Sequence, residues 1–233
     1  MTLLNSIPAT LPSAVDSIST IASSTEPSTV TFSIWELCLE GGFIMIPLAI
    51  LSVIAIYIFI ERAIAIHKAS KYDPSFMRRI KDYVQEGEIE SAQNLCRLNN
   101  TPASKLVEKG ISRLGRSAND ILAAIENAGN IEIANLSKGL PWLATTASGA
   151  PMLGFLGTVI GMVDAFFSIA NSGNAASIGD FAGGIYTALV TTVAGLVVGI
   201  IALFAYNYIV ARINNVMNQL EARTMEFMDI INE

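Results

Sequence analysis

Two threonines and one aspartate carry most of the chemistry this sequence offers. Thr158 and Thr192 each lie inside a long apolar segment on a line of small residues, and Asp164 is the only ionisable side chain well within either segment. A hydroxyl both donates and accepts a hydrogen bond, so a pair in apolar surroundings can bind water or a partner's carboxylate. A charge at the centre of a bilayer costs at least ~2.5–3.5 kcal/mol and marks a functional candidate for that reason; close to the outer interface the same carboxylate is simply hydrated. The spacing is as informative as the residue types. Gly154, Thr158, Gly161 and Ala165 fall at steps of 4, 3 and 4, and Ala188, Thr192, Gly195 and Gly199 repeat them. At about 100° per residue, each set stays within a stripe roughly 60° wide. Such a face suits a pore wall or a bearing surface for a partner helix. It equally suits plain packing, since Gly, Ala, Ser and Thr let backbones approach closely in lipid and a threonine can bond the carbonyl four residues back.

These residues need a frame that holds them at one depth. The stretch from Gly149 to Asn207 reads as a helical hairpin closed by the polar link Asn171–Asp180, and Thr158 and Thr192 are equidistant from Ala175 at its centre. After allowing for the link, about 12 helical residues, or ~18 Å, separate each threonine from the turn, against a hydrocarbon core of ~30 Å. Both therefore fall near mid-membrane. The chain holds three uncharged runs, Phe43–Ile60, Gly139–Val163 and Phe181–Ala211. With 52% apolar residues and a mean hydropathy of +0.51, it is an integral membrane protein. The runs lack the period-2 alternation of a membrane barrel, so they are helices. The fold class expected is an all-α membrane protein of three transmembrane helices, the second and third extended into the cytoplasm, with a helical cytoplasmic domain.

Charge sets the orientation. No Lys or Arg occurs in residues 1–42 or in the link, while all but Arg212 and Arg223 of the 14 lie between Arg62 and Lys138. By the positive-inside rule the N-terminus and link lie outside and the central region and C-terminus inside. The expected divisions are a flexible outer tail (1–32), an interfacial amphipathic helix anchored by Trp35 (33–42), the first span (43–61), a cytoplasmic helical domain (62–138), the second span (139–169), the link (170–180), the third span (181–211) and a cytoplasmic C-terminal helix (212–233). Within the cytoplasmic domain, Asp73-Pro74 signals a helix start, Gly87 a stop, and Ser117 to Asp120 a capping box. The apolar positions from Ile121 to Leu136 run on towards the second span as one long helix, bent or broken at Pro141 and Pro151. The C-terminal helix, with Ile213, Val216, Met217, Leu220, Met225 and Met228 at near-helical intervals, packs on the helices of the 62–138 domain, which form a collar. A net charge of −6 argues against nucleic acid as partner. Cys38 and Cys96 fall on opposite sides, so no intramolecular disulfide is expected, and neither has metal-ligand company. His67 reads as a wet interfacial side chain. No nucleophile, base and orienting group can be assembled, so neither an enzyme nor a cofactor or metal is expected.

Taken together, GGFIMIPLAILSVIAIYIFIER, APMLGFLGTVIGM and YTALVTTVAGLVVGIIALFAYN resemble the MotA/TolQ/ExbB proton channel family, most closely its ExbB/TolQ branch. The resemblance runs from about Ser33 to the C-terminus. It implies a homopentamer in the bacterial inner membrane, with a periplasmic N-terminus and a cytoplasmic C-terminus. Its second and third spans would surround helices of an ExbD/TolR-like single-span protein that supplies an essential aspartate, and proton flow would drive motion in a TonB- or TolA-like protein. Thr158 in GTV and Thr192 in TALVTT match the threonines that line the family's ion path. One departure stands out. Where many members have a glutamate four to five residues before the pathway threonine, this chain has Thr187, and Asp164 lies at nearly the same depth in the other helix. The expectation is that the carboxylate has moved from the third helix to the second. Two rival readings remain at this point: a membrane scaffold that conducts nothing, and a flagellar-type, MotA-like stator.

Overall fold

The computed structural model describes residues 41–70, 73–172 and 178–232, and among these every regular element is a helix. In chain order they are α1 (Met45–Ala69), α2 (Pro74–Gln85), α3 (Ile89–Asn99), α4 (Pro102–Ile111), α5 (Ala118–Leu136), α6 (Leu140–Ser172) and α7 (Ile178–Asn232). Three of them, α1, α6 and α7, are long and apolar enough to cross a membrane. Residues 1–40, which hold the expected outer tail, the Trp35 helix and Cys38, lie outside the described residues, as do 173–177 at the centre of the link. Helix takes in Asn171, Ser172 and Ile178 to Asp180, so the link is shorter than its polar composition implies.

The small helices begin and end where their capping residues dictate. Ser75 N–H donates to Asp73 Oδ1 at 2.9 Å, capping α2, with Pro74 at the first helical position. Those bonds, from the Ser75 hydroxyl and then its backbone, together with Arg79, hold the Asp73 carboxyl below its ordinary pKa. Asn100 takes a left-handed φ of 41° to end α3, and Thr101 and Ser104 cap α4 reciprocally. Ser117 caps α5 through Asp120 N–H at 3.2 Å.

The C-terminal segment of α7 is the post around which α2 to α5 pack. Ile209, Ile213, Val216, Leu220 and Phe227 are buried in one core with Ile80 on α2, Cys96 on α3, Val107 on α4 and Ile125 on α5. Phe227 fills the space that Gly110 leaves open, and a Cβ there would overlap its ring. Here the sequence pattern needs correcting. The buried series includes Thr224 and Phe227, whereas Met217 and Met225 face outwards, because the true helical register drifts off the methionine series. The run from α5 into α6 also differs from expectation. The break falls at Gly139, whose φ of +86° is left-handed and ends α5 as a glycine C-cap does. Pro141 sits in the first turn of α6, where its missing N–H costs nothing, and Pro151 lies within a helix that continues past it.

Candidate functional site

Helices α6 and α7 meet along their small-residue stripes, which face each other. A Cβ on Gly154 would lie 2.9 Å from the Thr191 carbonyl oxygen and 3.1 Å from Gly195 Cα; one on Gly195 would lie 2.6 Å from the Ala150 oxygen. Gly161 opposes Ala188, Gly184 opposes Ala165, and Gly199 opposes Pro151 and Ala147. Gly154, Gly161, Ala165, Ala188, Gly195 and Gly199 therefore form the seam of the hairpin, with backbones in contact as small residues in lipid permit. Within one chain this seam leaves no channel between the two helices.

The hydroxyls sit in that seam. Thr158 Oγ1 and Thr192 Oγ1 hydrogen-bond each other across it. Thr158 Oγ1 also lies 3.2 Å from the Ala188 carbonyl, and Thr192 Oγ1 lies 3.2 Å from the Gly154 carbonyl. Each hydroxyl has one proton, so two arrangements satisfy the cluster. In one, Thr158 donates to Thr192, which donates to Gly154. In the other, Thr192 donates to Thr158, which donates to Ala188 or, at 3.3 Å, to the Gly154 carbonyl. Reversing both protons converts one into the other without moving a heavy atom.

Thr191, which the sequence reading passed over, lies deeper. It is 2% exposed and donates to the Ala188 carbonyl at 2.7 Å, and Gly157 packs directly on its side chain. Ala188, Thr191, Gly195 and Gly199 fall at steps of 3, 4 and 4. That spacing was the available signal that Thr191 lies on the same stripe.

The seam has two margins, and α1 covers one. Met45 and Leu48 pack on Ala150, with Ala194 and Val198 alongside. Around their helices Thr158 is turned about 80° from Ala150, and Thr192 about 160° from Ala194. Both are half-buried. The threonine pair thus occupies the margin away from α1.

Asp164 and Thr187 occupy the other. They are turned only about 40° from Ala150 and about 20° from Ala194 respectively. Asp164 is exposed, Thr187 half-buried, and no hydrogen bond joins them. The four expected pathway residues therefore divide into two pairs on opposite flanks of one hairpin. Among the described residues, no three His, Cys, Asp or Glu side chains come together as a metal site.

The sequence itself places this architecture. The model of the MotA/TolQ/ExbB proton channel family matches residues 98–222, more than half of the chain. The chain belongs to that family. Its similarity to a putative biopolymer transport protein ExbB homolog of Methanothermobacter thermautotrophicus is 28% identity over 191 residues, 81% of this chain and 67% of that one. To the biopolymer transport protein ExbB of Neisseria meningitidis it is 29% identical over 185 residues, 73% of this chain and 81% of the relative. To the Tol-Pal system protein TolQ of Haemophilus influenzae it is 36% identical over 110 residues, 47% and 48% of the two chains. These relatives put this family member in the ExbB/TolQ branch. The matched region contains all of α6, α7 as far as Ala222 and every residue of the threonine cluster.

Proposed function

We propose that this chain is the channel-forming stator subunit of an ExbB–ExbD or TolQ–TolR type motor, which passes protons through the membrane and turns their passage into work on a TonB- or TolA-like protein. The reading rests on one observation: two hydroxyls, hydrogen-bonded across a helical hairpin, stand at the margin of the seam that the first helix leaves uncovered. A ring of copies, a pentamer in this proposal, turns those margins inwards. Ring formation is required, since three helices of one subunit cannot enclose another helix. The cavity receives the spans of an ExbD/TolR-like partner, whose aspartate docks against Thr158 and Thr192. Loading that carboxylate with a proton and unloading it couples to the two hydroxyl arrangements. Each elementary charge crossing supplies about 2.3 kcal/mol per 100 mV. The N-terminus and the link lie in the periplasm and the collar in the cytoplasm, as the distribution of Lys and Arg directs.

Asp164 and Thr187 lie on the opposite flank of the seam, and in this proposal they serve a separate, outer half of the path. The scaffold reading draws support from the same seam, since the small residues are used in packing α6 against α7. Proton flux into vesicles holding this chain and its single-span partner decides between them. Flux that falls at least tenfold with Thr158→Val, Thr192→Val or loss of the partner's aspartate supports the motor. Absence of flux from the intact pair refutes it.

A further inference from the structure

The side of the molecule that carries α1 and the lower half of α7 holds a feature the ion path does not use. Between the two helices runs an apolar groove of about 530 Å³, lined by Ala55, Ile56, Phe59, Val198, Ala205 and Tyr208 among others. It leads at Tyr208 into a polar cavity of about 250 Å³ that presents His67, Ser70, Arg212 and Asn215. Tyr208 belongs to both, and its ring packs edge-on against Phe59. The Arg212 guanidinium lies over that ring, 5.3 Å from its centroid, and its Nε–H donates to the tyrosine hydroxyl at 3.2 Å. No aspartate or glutamate lines either part.

The dimensions match one leaflet. Asp180 and Arg212 bound the uncharged stretch of α7, and Leu196 lies midway between them. On that scale the groove runs along α7 from Val198, about 3 Å from the midplane, to Tyr208, about 18 Å from it. Half of a ~30 Å hydrocarbon core is ~15 Å, with headgroups beyond. The apolar part therefore spans the acyl layer on the collar's side, and the polar part opens at headgroup level. A guanidinium steadied on an aromatic ring, beside an imidazole and a hydroxyl, with no carboxylate in the lining, is complementary to a phosphate ester. Basic pockets between membrane helices at this depth take anionic headgroups.

From this we infer that the groove between α1 and α7 is a binding site for one anionic phospholipid, with an acyl chain between Ala55 and Ala205 and the phosphate against Arg212. The lipid fills the space below the level at which Met45 and Leu48 already close α1 onto the hairpin. It thereby joins the first span to the long third helix. The site lies apart from the threonine pair and, along α7, towards the opposite end of the span from Asp164 and Thr187, so it does not overlap the proposed proton path.

The test uses the purified full-length protein exchanged into mixed micelles containing equal amounts of phosphatidylglycerol and phosphatidylcholine with the same acyl chains. Bound lipid per subunit is counted by native mass spectrometry. The intact chain retains phosphatidylglycerol preferentially. Arg212→Gln lowers its retention about fivefold, the loss of one cation at a headgroup, and leaves phosphatidylcholine unchanged. Ala205→Leu, which fills the groove, lowers retention of both lipids. Lys109→Gln on the far collar alters neither. Equal retention of the two lipids by the intact chain overturns the inference, as does phosphatidylglycerol retention insensitive to Arg212→Gln. Cross-linking of a Tyr208→Cys variant to a second copy of the chain through this groove also overturns it, because a subunit then occupies the site.

Discussion

Replacing Gly195 by alanine adds one methyl where the α6–α7 seam has no room for it. The new Cβ would stand 2.6 Å from the Ala150 carbonyl oxygen and 2.8 Å from Gly154 Cα, against an edge of ordinary contact at 3.4 Å. Both obstacles are backbone, so the helices must part by about 0.8 Å. That displacement takes the Thr192 to Gly154 hydrogen bond from 3.2 Å to about 4.0 Å, past the limit for such a bond. Overpacking of this kind costs about 1–3 kcal/mol, and an interhelical hydrogen bond in a membrane adds about 0.6 kcal/mol. The control is Gly149→Ala on α6, whose Cβ meets nothing within 4 Å. Both changes exchange a helical glycine for alanine, so their difference isolates the seam. Unfolding of the two variants is compared in one detergent, by thermal melting of the purified protein. Gly195→Ala is expected to be less stable than Gly149→Ala by about 2 kcal/mol. Equal stability would show that the seam is not packed as described.

The threonine cluster gives a second expectation. Thr158→Val and Thr192→Val combined in a double-mutant cycle show a coupling of about 0.6–1.7 kcal/mol in stability, while pairing either with a change at Thr145 on the first turns of α6 shows none. Phe227→Ala opens a cavity beside Gly110 and Ile125 and costs about 3–5 kcal/mol, read as collar unfolding by limited proteolysis or melting. Cys96 is 1% exposed, and burial, helped by Glu108, pushes its thiol up to about 12. The unfolded chain loses that proton near pH 8.5 while the folded chain keeps it. Stability therefore falls as pH climbs from about 8.5 towards about 12, and Cys96→Ala removes that slope from a melting series. Asp164→Asn abolishes proton-coupled work if the carboxylate has moved to the second helix, and unchanged work in a reconstituted motor refutes that move.

Much of this molecule is legible from its residues, because membrane helices and caps are local devices. Asp73-Pro74, Gly87 and Asn100 mark element ends on their own, and three uncharged runs mark three spans. Periodicity says which residues share a face but not what that face meets. Gly154 and Gly195 were therefore recognisable as one kind of surface, while their contact with each other was not. Thr191 and Thr192 are adjacent and chemically alike, and only the seam tells the buried one from the marginal one. Gly139 shows a different failure. Its position after Lys138 is an ordinary helix stop, but the apolar series continues on either side of it and the two prolines are the stronger breaking signals. The register of α7 beyond Arg212 likewise required the fold, since methionine and phenylalanine compete for the same face and Gly110 decides in favour of Phe227.

Helix α7 runs 55 residues without a proline, from the link to the collar's core. At 1.5 Å per residue it is about 80 Å long, with Thr192 and Phe227 some 50 Å apart along it. In the proposed motor that length is a lever arm: a lean of only 5° about Thr192 would carry the Phe227 end sideways by roughly 4–5 Å, close to a full turn of helix. Because Phe227 is keyed into Gly110, such a stroke would reach the collar through that contact.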